Sequence, residues 1–203
     1  MMRTVRRSTV YFERAGPLNT TSLLDAVSER LGLKDVRVVV VPVTTGRTAE
    51  LFTSRLRNEA EIVTVSEDEA VSACRRVAYT EGGLLEKLVG KRLGKTLGKV
   101  ESSQRREIFD LTFLPFCGEK WNLVSEPFYA FGQGMKVAVE VSVAAVEIGK
   151  VKPYTDVVAV GGTGEGADTA IIVRTSTQGE AFGSRPDRRL SVREVVAMPI
   201  EKW

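Results

Sequence analysis

Three short segments of the chain carry the residue types that grip an anion. The first is Thr44-Thr45-Gly46-Arg47-Thr48, which follows a run of valines and precedes Ala49, Phe52 and Leu56 at helical spacing. A helix N-terminus has orphan N–H groups and about half a positive charge, so a cation in its first turn is unfavourable unless an anion joins it. Arg47 stands in that turn. Main-chain amides, the Thr44, Thr45 and Thr48 hydroxyls and the Arg47 guanidinium would together hold a phosphate, and Gly46 would let the backbone come close. The plainer alternative is a threonine cap with Arg47 paired to Glu50 on the surface.

The second segment is Gly161-Gly162-Thr163-Gly164-Glu165-Gly166-Ala167-Asp168, in which four of the first six residues are glycine. Each glycine carries an entropic cost, so the density calls for positive-φ turns or close approach of a ligand. No Lys-Ser/Thr follows, which excludes a Walker loop. The glycine spacing does not fit a dinucleotide fingerprint, and a strand rather than a helix comes next. A tight connection between antiparallel strands would also explain it. Glu165 and Asp168 could serve a divalent ion, but loop carboxylates are commonly just solvated, and no metal site is expected. The third segment is Phe131-Gly132-Gln133-Gly134, which opens a long helix with Lys136 in its first turn. The same electrostatics apply there more weakly, because lysine side chains reach out to solvent.

Composition narrows the chemistry further. The 203 residues contain no histidine, which removes every Ser-His-Asp or Cys-His device and every His-containing zinc site. A general base would have to be Glu, Asp, Lys, Tyr or Cys with a displaced pKa. Cys74 and Cys117 match no CxxC pattern, which fits a reduced, intracellular and cytoplasmic protein. Arg3, Arg6 and Arg7 are followed by no apolar h-region, so no signal peptide is expected. Val137 to Ile148 is too short and too interrupted by Glu140 and Glu147 to span a bilayer. A net charge of +3 points by itself to neither nucleic acid nor membrane. The length suits a single α/β domain over residues 1–203.

The elements that must hold these segments alternate. Ser8 to Phe12 reads as a strand, and Thr20, Thr21 or Ser22 can cap a helix carrying Leu23, Leu24, Val27 and Leu31 that Gly32 closes. Val36 to Val41 is nearly continuous valine, the pattern of a strand covered on both faces. Glu61 to Val65 is a third strand, and Ser66 with Glu69 forms a capping-box signal. Strand, helix, strand, helix, strand predicts a parallel sheet. Val137 to Ile148 alternates like a strand, but its length and Ala144-Ala145 favour a buried helix ending at Gly149, with Glu140 and Glu147 on its polar side. Val157 to Val160 and Ala170 to Arg174 are further strands. Ser191 to Met198 is a short element whose Ser191 and Glu194 fit a capping box.

Thr44 to Ala49 after a valine strand resembles the effector-phosphate loop of the pyruvate kinase C-terminal domain. The wider pattern resembles a prokaryotic group of free-standing pyruvate kinase α/β-domain-like proteins. It comprises Val10-Tyr11-Phe12-Glu13 with Gly16-Pro17-Leu18-Asn19-Thr20, Thr44 to Ala49, Phe131 to Glu140, Val158 to Ala170 and Val192 to Pro199. The resemblance implies a three-layer α/β/α sandwich around a mostly parallel five-stranded sheet whose last strand is antiparallel. It implies a phosphorylated ligand, with flavin mononucleotide (FMN) as one candidate cofactor, and first-loop contacts from Glu13, Gly16 and Asn19. No catalytic role carries over, since pyruvate kinase performs its chemistry in another domain.

Residues of about 79–126 depart from that group and read as an insert-like region. Lys87, Lys91, Lys95 and Lys99 recur every four residues, and Glu86 to Arg106 holds seven basic and two acidic residues. Like charges at this spacing cost roughly 0.2–0.5 kcal/mol per pair in a helix, so an anionic partner would help it. A solvated face is the simpler account, and nucleic acid is not the expected partner. The expected function is therefore binding of FMN or a sugar phosphate at strand-end loops. Two alternatives stand beside it: an enzyme using Glu13, Glu140 or Asp168 as base with Lys136 steadying charge, or a nucleic-acid or partner-binding module using the basic residues 87–106. Self-association is left open.

Overall fold

The computed structural model describes residues 4–70 and 126–203. The insert-like region, but for its last residue, and with it the lysine stripe, Cys74 and Cys117, lies outside the described residues.

Six strands form one sheet: β1 (Val10–Arg14), β2 (Val38–Val43), β3 (Glu61–Ser66), β4 (Asp156–Gly161), β5 (Thr169–Arg174) and β6 (Ser191–Glu201). Their order is β1-β6-β5-β4-β2-β3. The pairs β1/β6, β2/β3 and β2/β4 are parallel, while β5 is antiparallel to both β4 and β6. Five strands thus share one direction and β5 opposes them.

Helices cover both faces, because the strand side chains alternate between two cores. Val39, Val41, Val158 and Val160 pack with α1 (Thr20–Leu31) and α2 (Arg47–Leu56). Val40, Val157, Ala159 and Ile171 pack instead with α3 (Gln133–Glu147). The valine-rich strands, apolar on both sides, require this three-layer arrangement.

Several expectations change. The sheet has six strands rather than five, because Ser191 to Met198 lies within β6 and is no helix. The apparent capping box there fails because β-branched and apolar residues pair this segment with β1 and β5. Glu194 serves an ion pair instead, accepting from Arg30 Nε at 2.9 Å. Gly32 does close α1 as its C-cap, but with a right-handed φ of −55°, and the left-handed residue is Lys34 at +60°. No side chain caps α1. Glu140 is not on a polar face: it is fully buried, on a helix buried at every residue from Gly134 to Val146 to within a few per cent. Among the described residues no helix is long and apolar enough to cross a membrane.

Candidate functional site

With five strands aligned, the ends of β1, β2, β3 and β4 and the starts of α2 and α3 come to the same sheet edge. That edge opens beside a proline. Pro42 lies within β2, and pairing between β2 and β4 is confined to Val39↔Val158 and Val40↔Ala159. Proline has no N–H, so one ladder bond is lost at this position, while β2 stays in register with β3 through Pro42↔Val65 and Val43↔Ser66. Beyond the last pair the two strands diverge around a cavity of about 320 Å³, ample for a small ligand. β2 continues toward β3 and β4 toward β5, so the cavity sits where consecutive connections leave in opposite directions.

Three walls come from the three anion-type segments. The β2–α2 turn contributes Thr44, Thr45, Gly46 and Thr48; α3 contributes Gln133 and Val137; the glycine loop contributes Gly162, Gly164, Glu165 and Gly166. Pro42 forms part of the floor, and Glu67, just past β3, completes the lining. Gly46 adopts φ +87° at the N-cap of α2, and Gly132 adopts φ +99° at the N-cap of α3. Neither helix has a side-chain cap, so first-turn amides at both starts are left for another acceptor.

The remaining residues of those segments are placed otherwise. Arg47 is exposed at the start of α2 and does not line the cavity. Among the described residues it makes no ion pair, so the surface pairing with Glu50 that the plainer alternative required is absent. Lys136 turns away from the cavity and is only 3% exposed. Its Nζ lies 3.1 Å from Glu140 Oε1 and 5.1 Å from the centre of the Tyr129 ring. A buried ammonium needs a paired charge, and Glu140, one turn along the same helix, supplies it. Thr163 is half-buried behind the lining.

The glycines divide by cause. A Cβ on Gly161 would come 2.0 Å from the Gly134 carbonyl oxygen, and one on Gly134 would come 2.4 Å from Asp168 Oδ1. These two positions are glycine because α3 lies directly against β4 and β5. Gly162 is pressed against the Gly166 carbonyl, which tightens the loop. Gly164, at φ +74° with open space around it, is glycine for its backbone angle.

The first loop backs the glycine loop rather than the cavity. Gly16 donates its N–H to Asp168 Oδ2 at 2.9 Å, while Asn19 Nδ2 donates to the Arg14 carbonyl at 2.7 Å. Glu13 is exposed on β1. Neither Glu13, Gly16 nor Asn19 lines the cavity, and neither do Glu140, Asp168 or Lys136, the residues a catalytic alternative would use. Asp168 is fully buried, so it does not join Glu165 in a solvent-facing pair.

Sequence reading overlooked Pro42, Glu67 and Val137. A proline inside a valine run was the available signal for a strand that loses a ladder bond. The Ser66–Glu69 box also fixed Glu67 in a first helical turn at the same edge. That box is present in full: Ser66 N–H donates to Glu69 Oε2 at 3.0 Å and Glu69 N–H to Ser66 Oγ at 3.2 Å.

Fold and site together define a three-layer α/β/α protein with a cavity at the carboxyl edge of a mostly parallel sheet. No protein-family model matches the chain.

Proposed function

We propose that this protein binds a phosphorylated small molecule in the cavity between β2 and β4, with FMN or a sugar phosphate as the candidates. The observation that carries this reading is convergence. Segments at 44–48, 133–137 and 162–166, far apart in sequence, meet on one cavity beside two glycine-capped helix starts. Uncapped amides and the positive ends of two helices favour an anion there, and the Thr44, Thr45 and Thr48 hydroxyls add donors. Arg47, exposed and free of ion pairs among the described residues, stands in sequence between the lining residues Gly46 and Thr48 and would add positive charge there. Glu67 and Glu165 suit the other half of such a ligand, accepting hydrogen bonds from the hydroxyls that a ribityl chain or a sugar carries. The likeness of Thr44 to Ala49 to the phosphate loop of the pyruvate kinase C-terminal domain supports the same reading. In that family the catalytic machinery belongs to another domain, so the proposal is binding without catalysis.

The test is a melting series with FMN and a panel of phosphorylated sugars. A ligand at about 100 times its Kd raises Tm by roughly 5–10 °C in a protein of this size, and Arg47→Ala removes most of that rise. A colourless purified protein whose melting ignores every phosphorylated compound overturns the proposal.

A further inference from the structure

The glycine loop has a back as well as a front. Its front, Gly162, Gly164, Glu165 and Gly166, lines the cavity. Its back is fastened to the first loop by groups that the cavity never sees. The Ala167 N–H donates to Thr20 Oγ1 at 2.9 Å, and the Thr20 hydroxyl donates to the Pro17 carbonyl at 2.7 Å. Asp168 extends the fastening: Oδ2 accepts from the Gly16 N–H and Oδ1 from the Thr169 hydroxyl, each at 2.9 Å. There is no slack between the loops, since a Cβ on Gly166 would come 2.4 Å from Pro17 Cα and 2.7 Å from Thr20 Oγ1.

We infer that Thr20 and Asp168 are positioning residues for the cavity, fixing from behind the wall that Gly162 to Gly166 present to the ligand. Thr20 is suited to this because its one hydroxyl is both acceptor and donor, bridging the two loops. It is free to do so because it caps no helix amide at the start of α1. Asp168 holds its place because a buried carboxylate needs donors on both oxygens, and here they come from two different elements. A glycine-rich loop has many accessible conformations, so its affinity for a ligand depends on how many of them are removed beforehand.

The inference rests on the binding reading above, and its test separates the two. Inorganic phosphate and FMN are titrated against wild type, Thr20→Val and Thr20→Ser, with amide exchange of Gly162 to Gly166 followed in each protein without ligand. The valine variant keeps the shape and loses the hydroxyl; the serine variant keeps the hydroxyl. The expected result is affinity lowered roughly three- to tenfold in Thr20→Val, the size of one lost hydrogen bond, with faster loop exchange, both restored in Thr20→Ser. Should Thr20→Val not fold, Thr20→Ala removes the same hydroxyl without the branched bulk. Equal affinity and equal exchange across the three proteins overturn the inference. If wild type binds neither probe, the melting panel of phosphorylated sugars decides the binding reading and the exchange rates alone judge Thr20: faster in the valine variant than in the serine variant upholds it, no difference overturns it.

Discussion

Gly134 and Gly161 meet where α3 crosses the end of β4, so closely that a methyl group on Gly161 would lie 2.0 Å from the Gly134 carbonyl oxygen and 2.7 Å from the Ala138 nitrogen. Both neighbours are backbone atoms and cannot turn aside. Gly161→Ala is therefore expected to destabilise the fold by roughly 3 kcal/mol, the upper range for overpacking. Gly164→Ala, three residues on, meets no atom but forces alanine to φ +74°, for which about 1 kcal/mol is expected. Urea midpoints with unchanged slopes measure both. Equal losses at the two positions would contradict the division of these glycines into contact and conformation.

Arg30 ties α1 to β6 and to the connection that leads into β2. Its guanidinium donates to Asp35 at 2.6 and 3.1 Å and to Glu194 of β6 at 2.9 Å, and its side chain is 8% exposed. The Arg30 guanidinium holds the Asp35 carboxyl below its usual range. Arg30→Met is expected to cost roughly 2 kcal/mol, because Glu194, largely buried, keeps only the longer 3.7 Å pair to Arg7. Adding Glu194→Leu should recover part of that loss by removing the stranded charge. A double-mutant cycle in denaturant reads the coupling, and strictly additive losses would refute it.

Acid should act partly through Glu69. Lys150 and the Ser66 amide hold its carboxyl below the ordinary value of 4.5. A folded-state pKa below the unfolded one adds stability above the ordinary value and loses it as pH falls through the depressed one. Glu69→Gln is thus expected to be less stable than wild type near neutrality, with the gap closing below about pH 4. The carboxylate is 40% exposed, so solvent screening limits the gap to under about 1 kcal/mol. Melting curves from pH 7 to pH 2 check this, and a gap that widens in acid contradicts it.

Much of the framework was legible because single residue types dictate it. Continuous valine in β2 and β4 demands cover on both faces, and the Ser66–Glu69 box forms both of its hydrogen bonds. What misled were local signals overruled by partners distant in sequence. Ser191 and Glu194 have helix-capping spacing, yet β5 pairs with that stretch and β1 takes over the strand from Ala197 on. Lys136 has the position of an anion-binding residue, yet burial turns it onto Glu140 and Tyr129. The glycine loop could be recognised as unusual, but which of its glycines face space and which face backbone depends on where α3 and Pro17 come to rest. Those placements are tertiary and leave no mark at the loop itself.

The most direct test of the central claim is a titration with inorganic phosphate followed by backbone amide resonances. The account predicts shifts concentrated at Gly46, Thr48, Gln133, Gly162, Gly164 and Gly166, saturating together with one affinity. No saturable shift at these amides, or shifts centred instead on the arginine-rich segment from Arg185 to Arg193, would contradict it.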